Sequence, residues 1–220
     1  MTNLVLVRHG ETVWHAKNRY AGRSDVALTA RGHEQAERLA EWARDAELDA
    51  VWCSPLSRAR ETAATAAGAD EALAPRIDPR LRELDFGDAE GLTVAEMEER
   101  FPAALQAFRE DPVAHHLPGG EDPRAAVTRA LACFRDIASR YPGGRVLVVT
   151  HTTLKRLALC RLVGMPLAAY RSVFPFVRNC AITEVRLDGD RASILEYNTP
   201  LDPTTAPVLK AAAGRDRARR

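Results

Sequence analysis

The sequence predicts an α/β fold, a three-layer α/β/α arrangement with a mostly parallel central sheet. Two apolar runs carry that prediction, Leu4-Val-Leu-Val7 and Val146-Leu-Val-Val149. Each is too short for a helix and fits a strand buried on both faces. Segments with helical apolar periodicity separate them, as expected of helices that cover a sheet. Both runs end in a histidine, at Arg8-His9-Gly10 and Thr150-His151. Open α/β sheets hold ligands beyond the carboxyl ends of their strands. Arg8 and His9 there pair a fixed cation with a titratable nucleophile, and Gly10 lets the backbone come close to what they hold.

Composition narrows the function classes. At 220 residues the chain is one large domain or two small ones, and no internal repeat or sharp boundary divides it. A single domain over residues 1–210 is expected, with 211–220 a small, basic, disordered tail. The formal net charge is +1, and no DNA- or RNA-binding motif appears, so nucleic acid is not an expected partner. Cys53, Cys133, Cys160 and Cys180 form no CxxC pair and read as reduced core cysteines rather than a zinc site or disulfide framework. The chain enters a strand almost at once, without a signal segment or a membrane-length apolar run, which points to a cytoplasmic protein with no membrane partner.

The elements follow in order. Trp14–Asp25 is polar, carries Lys17, Arg19 and Arg23, and reads as a loop over the sheet edge facing an anionic ligand. Thr29 caps a helix to about Ala46, with Ala36, Leu39, Ala40 and Ala43 inward. Asp49–Cys53 is the next strand. Ser54 as N-cap and Pro55 as first helical residue open the helix Leu56–Ala67. Arg58 near its start opposes the helix dipole, a conflict that a bound anion removes. Residues 68–80 read as a connection. Glu83 stands beside leucines in Leu81–Gly91, a desolvated carboxyl suited to general acid work.

Thr93-x-x-Glu96 is a capping box opening a helix that is interrupted at Pro102 and ends near Arg109. His115 and His116 lack the i, i+4 spacing of a shared metal face and read as a solvated loop. Pro118-Gly-Gly-Glu121 turns the chain into the helix Pro123–Arg140, with Ala126, Ala130, Leu131, Phe134 and Ile137 inward. The helix after His151 turns Leu154, Leu157, Ala158 and Leu162 inward and stops at Gly164. Ala181–Leu187 and Ala192–Tyr197 form a hairpin about Asp188-Gly-Asp190.

Two histidines, two arginines and a glutamate at strand ends and nearby turns are what phosphoryl transfer needs. There is no GxSxG elbow, no Walker A sequence and no carboxylate-rich two-metal cluster. Arg8-His9-Gly10-Glu11-Thr12, Ser54-Pro55-Leu56-x-Arg58-Ala59-x-x-Thr62, Glu83-x-x-x-Gly87 and the strand ending in His151 together resemble the histidine phosphatase superfamily, the phosphoglycerate mutase-like family, over nearly the whole chain. Leu28-Thr29-x-x-Gly32-x-x-Gln35-Ala36 and Pro118–Glu121 resemble its small bacterial phosphatases.

The resemblance implies a phosphoglycerate mutase-like fold with a helical cap insertion around 88–122. It implies His9 as a nucleophile that forms a phosphohistidine, with its tautomer fixed by a backbone carbonyl. Arg8, Arg58 and His151 complete the phosphate pocket, Glu83 is the proton donor, and no metal or organic cofactor takes part. The implied function is a metal-independent phosphomonoester hydrolase acting on a small phosphorylated metabolite. Phosphoglycerate mutase-type transfer is the alternative, and a catalytically inactive phospho-ligand binding module is the second. The modest segment between Glu83 and His151 is similar to the phosphatases, whereas the Asn18-Arg19 and Gly22 pattern is similar to the mutases.

Two positions depart from the family pattern. His15 stands where many members have Asn, and is expected to hold the phosphate as a donor, better at mildly acidic pH. Thr152 follows the second histidine where many have Gly, and either donates to the phosphate or narrows the pocket. His15, Arg19, Gly22 and Thr152 make up the expected substrate-binding set. Arg19 and Arg23 suggest an acidic or polyhydroxylated leaving group, and Phe86, His115 and His116 are expected to line the cap. A homodimer is compatible with the sequence.

Overall fold

The computed structural model describes residues 1–189 and 191–201. The strands are β1 (Thr2–Arg8), β2 (Ala50–Cys53), β3 (Arg76–Ile77), β4 (Arg145–Thr150), β5 (Ile182–Asp188) and β6 (Arg191–Thr199). The helices are α1 (Ala30–Arg44), α2 (Ser57–Ala67), α3 (Val94–Arg100), α4 (Pro102–Glu110), α5 (Pro123–Arg140), α6 (Thr152–Leu162) and α7 (Tyr170–Val173). The sheet order is β3-β2-β4-β1-β5-β6. β3, β2, β4 and β1 run parallel, while β5 and β6 complete the sheet by antiparallel pairing. The fold is therefore the mostly parallel α/β arrangement the apolar runs predict.

Alternation along the strands sorts the core into two layers. Leu4, Leu6, Trp52, Val146 and Val148 face α5 and α6. Val5, Val7, Val51, Cys53, Leu147 and Val149 face α1 and α2. A third cluster joins Leu84, Phe86, Met97, Leu105, Phe108 and Leu117 to Ala126 and Ala130 of α5 and Leu154 of α6. It anchors α3 and α4 beside the sheet edge where β1 and β4 end.

Local signals set most helix ends. Thr29 Oγ1 accepts from the Gly32 N–H, the full capping box is present at Thr93 and Glu96, and Asp122 caps α5 ahead of Pro123. α1 ends at Arg44, two residues short of expectation, and its Ala40 is half-buried rather than buried. α2 differs more. Ser54 is not its N-cap; the helix begins at Ser57, and Leu56 offers no side-chain cap. The Ser54 hydroxyl is engaged with His151, and Asp25 Oδ1 accepts from the Ser57 N–H at 2.8 Å instead. A carboxylate from a distant loop thus replaces the local cap.

The connection 68–80 holds a two-residue edge strand, β3, whose residues are both exposed and so leave no apolar period to read. The four cysteines are buried and free. No helix among the described residues is long and apolar enough to cross a membrane. The basic tail 211–220 lies outside the described residues.

One core residue breaks the apolar pattern. Lys155, on α6, is fully buried, and its Nζ donates to Leu6 O and Thr183 Oγ1, both at 3.2 Å. Burial first, then the nearby Arg8 and Arg156 charges, push its amine from 10.5 down to about 7. Between those values the unfolded chain holds the proton and the folded chain does not, so this residue's contribution to stability falls as pH drops from 10.5 to 7. Lys155→Met is expected to stabilise the protein at pH 7 by about 2 kcal/mol or more. It should also gain less than wild type between pH 7 and pH 9, as urea unfolding midpoints would show.

Candidate active site

β1 and β4 are adjacent and parallel, with Arg8 opposite Thr150, so the next residues, His9 and His151, leave the sheet side by side. Their ring centroids are 5.0 Å apart, edge to face. His9 is 2% exposed. Its Nδ1 lies 2.7 Å from Gly10 O, which assigns the proton to Nδ1 and leaves a lone pair on Nε2. Arg58 Nε donates to that lone pair at 3.2 Å. Burial, followed by His151, Arg58 and Arg8, drives the His9 pKa well below its ordinary 6.5. A neutral imidazole whose Nε2 lone pair is released by the Arg58 donor is a nucleophile.

Arg58 is fully buried. Its Nη1 donates to Ser24 O at 2.7 Å and its Nη2 to Gly22 O at 2.6 Å. The polar loop after β1 therefore supplies acceptors for Arg58. Gly22 acts here through its backbone, because a Cβ would fall 2.4 Å from Leu84 O. Gly22 thus holds an arginine rather than lining the cavity.

Arg8 Nη1 donates to Val177 O at 2.8 Å, and Nη2 lies 2.8 Å from His15 Nε2. Burial lowers its pKa to about 10, which leaves it charged at neutral pH. A guanidinium only donates, so His15 Nε2 accepts from Arg8, while Nδ1 lies 3.1 Å from Thr12 Oγ1 and 3.3 Å from the Thr12 N–H. Burial, with Arg8 and Arg58, pushes the His15 pKa to about 3. The expected gain at mildly acidic pH is corrected accordingly: His15 stays neutral there and orients Arg8. Its ring stacks on His9 with centroids 5.5 Å apart.

His151 Nε2 lies 2.7 Å from Ser54 Oγ. Its Nδ1 is buried and has no partner among the described residues. Burial first, then Arg58 and Arg129, lowers its pKa well below 6.5.

Glu83 is 4% exposed and caps α6 from outside the helix. Its Oε2 accepts from the Thr153 N–H, and its Oε1 accepts from the N–H groups of Leu154 and Leu84, all at 2.8 Å. The N-cap residue, His151, makes no side-chain capping bond, so Glu83 supplies it. Arg129 on α5 fixes this segment, donating from Nη1 to Arg80 O and Arg82 O and from Nη2 to Glu83 O. The same guanidinium grips Glu121 with two hydrogen bonds, at 2.8 and 2.9 Å. Burial pushes the Glu121 carboxyl up, but the hydrogen bonds and charge of Arg129, with Arg82, bring it below its usual 4.5.

The Pro118–Glu121 turn thus acquires a role. Asp88 N–H donates to Pro118 O and Glu121 N–H to Asp85 O, closing the turn onto the Glu83–Gly91 loop. Gly87 at φ +55° packs so closely there that a Cβ would lie 2.2 Å from Pro118 O. Arg129→Met is expected to cost about 3 kcal/mol, because Glu121 keeps only Arg82 as a partner and three backbone carbonyls lose their donor. The deficit should be full above pH 4.5, where Glu121 is ionised in both states, and shrink as pH falls through its lower folded value. Urea unfolding at pH 7 and pH 4 would measure both.

Three hydrogen bonds from a distant segment clasp the end of β1. Val177 O accepts from Arg8, the Cys180 N–H donates to Arg8 O at 2.8 Å, and Asn179 Nδ2 donates to His9 O at 2.7 Å. Sequence reading missed Asn179, because nothing in its local pattern reports a partner 170 residues away.

A cavity of about 210 Å³ opens over the strand ends. Arg8, His15, Arg19, Glu83, Phe86 and Thr152 line it. Arg19 also pairs with Glu96 at 2.7 Å. Arg23 is not part of the lining and lies 3.4 Å from Asp85. His115 and His116 are exposed and do not join the lining. His15 is the one imidazole in that lining; His9, Arg58 and His151 lie behind it. A larger cavity of about 480 Å³, lined by Glu11 and Asn179 among others, has no histidine in its lining.

The sequence matches the histidine phosphatase superfamily, branch 1, over residues 4–200. The chain belongs to the histidine phosphatase superfamily. Among its relatives, phosphoserine phosphatase 1 of Hydrogenobacter thermophilus is 31% identical over 90% of this chain and 92% of its own. A probable phosphoglycerate mutase GpmB of an Enterobacter species is 36% identical over 84% and 85%. The solved structure of Bacillus stearothermophilus YhfR superposes with a TM-score of 0.84 at 32% identity, covering 90% of this chain and 98% of that one. These likenesses agree with the phosphoglycerate mutase-like fold the motifs implied.

Proposed function

We propose that the protein hydrolyses phosphomonoesters of small metabolites through a phosphohistidine on His9. The observation that carries this is the neutral, Nδ1-protonated His9, whose Nε2 lone pair sits among Arg8, Arg58 and His151. Nε2 attacks phosphorus in line while the ester P–O bond breaks. Arg58 Nε–H moves from the nucleophile's lone pair to a phosphoryl oxygen as that lone pair is consumed, and Arg8 neutralises a second oxygen. His151 Nδ1–H meets a third, with Nε2 accepting from the Ser54 hydroxyl. Gly10 O holds the Nδ1 proton and takes up the charge that develops on the ring.

Glu83 gives its proton to the departing oxygen and then takes one from the water that attacks phosphorus, breaking the P–N bond and restoring His9. Its Oε2 accepts one amide where Oε1 accepts two, so Oε2 is the oxygen with a lone pair to spare. Thr152 opens α6 at the cavity wall, where its hydroxyl is a further donor. Residues 88–122, with α3 and α4, serve as the cap. The likeness to a phosphoserine phosphatase supports hydrolysis, whereas that to a probable phosphoglycerate mutase supports phosphate shuffling in the same pocket.

The test measures phosphate release from a panel of phosphomonoesters and 3-phosphoglycerate isomerisation on the same preparation. Release without isomerisation is expected. Isomerisation that depends on a bisphosphate primer would replace the hydrolase reading with the mutase one. Neither activity, with phosphate still bound, would make the protein a binding module.

A further inference from the structure

Two arginines in the cavity have no part in phosphoryl transfer. Arg156 lies one turn beyond Thr152 on α6, and Arg171 comes from α7; both line the same cavity as Arg8 and Glu83. Their positions have structural explanations only in part. Arg156 Nη2 donates to Pro175 O at 2.6 Å, but its Nε is buried with no partner among the described residues. Arg171 stacks on Phe108, 4.6 Å from the ring centroid, and donates to the Tyr20 hydroxyl at 3.1 Å.

Among the described residues, neither guanidinium has a carboxylate within 4 Å, whereas Arg19, Arg82 and Arg129 each do. Glu83 is the one carboxylate lining this cavity among the described residues, and three backbone amides already occupy it. Arg8 and Arg58 answer the charge of the phosphoryl group. Two cations remain, both partly buried and facing the space where the rest of the substrate must sit. A partly buried charge without a counter-ion gains from one, so such a wall calls for a second anion.

We propose that Arg156 and Arg171 form a subsite for a carboxylate on the leaving group, so that the preferred substrates are phosphate esters of small hydroxy acids. The inference rests on the phosphatase reading of the site. Thr152 and Arg156 stand one turn apart on α6, with Cβ atoms about 6 Å apart, and both line the one cavity. A carboxylate two or three bonds from the ester oxygen fits such a neighbouring subsite. A guanidinium fork matches a planar carboxylate. A cavity of about 210 Å³ is below the range of about 300–1,000 Å³ for drug-sized ligands and fits a leaving group of a few heavy atoms.

The experiment compares 3-phosphoglycerate with glycerol 3-phosphate, which exchanges the carboxylate for a hydroxymethyl group. In wild type, kcat/KM for phosphate release is expected to favour 3-phosphoglycerate by about tenfold or more, the worth of one charge-assisted hydrogen bond. Dissociation constants for the two esters in the His9→Ala protein should show the same preference without turnover. Adding Arg156→Gln or, separately, Arg171→Gln to that protein should bring the ratio to within about threefold of unity, while Arg161→Gln, exposed on the same helix, should keep it. Wild-type hydrolysis with no preference between the esters overturns the subsite and leaves the phosphatase reading standing. A ratio that survives both arginine substitutions also overturns it. Loss of all phosphomonoester hydrolysis in wild type overturns the phosphatase reading itself.

Discussion

His9→Ala is expected to abolish phosphate release, with a loss of at least about 10⁴-fold, the scale seen when a nucleophile is removed from a catalytic unit that acts together. The surrounding cations stay in place, because Arg8 is held by Val177 O and His15 and Arg58 by the carbonyls of Gly22 and Ser24. Binding of inorganic phosphate should therefore persist. Arg58 Nε loses its acceptor in the variant, a buried donor left unmade at a cost of about 1–3 kcal/mol. A melting curve taken beside the rate separates that loss from the loss of chemistry. Brief exposure to a labelled phosphomonoester should leave acid-labile phosphate on wild type and none on the variant. Turnover near the wild-type rate would sink the phosphohistidine mechanism.

Glu83→Gln is the second large effect. General acid–base groups contribute about 10²–10⁴-fold, and a loss on that scale is expected in phosphate release. Here the substitution acts on structure as well. Both carboxyl oxygens accept backbone N–H groups at the start of α6, so one end of Gln must present an amide NH₂ to an amide N–H. Loss of a cap costs about 1 kcal/mol, which predicts a modest drop in unfolding midpoint beside the large drop in rate. In the phosphohistidine-forming step, read as the burst of released alcohol, a leaving group that needs no proton, such as p-nitrophenol, should recover much of the rate if Glu83 is the acid. Equal losses in that step for good and poor leaving groups would remove Glu83 from the acid role.

The strand ends were the most legible part of this chain. The runs before His9 and His151 are continuous because both strands are buried on both faces, and burial is what an apolar run records. The candidate cluster was legible through motif order. The structure brings Arg8, His9, Arg58, Glu83 and His151 to one end of the sheet, and sets Gly22 behind Arg58. What could not be read were interactions whose partners are far apart in sequence. Asp25 caps α2 in place of Ser54, Arg129 grips the Glu83 segment, and Asn179 holds the His9 carbonyl. Each is an ordinary residue type locally, with a meaning that only the fold supplies. The His15 expectation failed for a related reason: an exposed imidazole is a mildly acidic switch, but one beside two arginines and out of water is not.

The place of β1 in the sheet has a consequence for how the chain is made. Its neighbours on both sides, β4 and β5, come from residues 145 onward. During synthesis the first strand emerges with neither edge partner in existence, and it waits while most of the chain is translated. An apolar segment with two unpaired edges is a template for wrong pairing. A nascent chain halted before β4 should therefore aggregate or stay bound to a chaperone, even though α1, β2 and α2 are already complete. Folding that depends on such distant pairings is slow. His9 leaves the ribosome well before β4 and β5, yet it is among the last groups to reach its place beside His151.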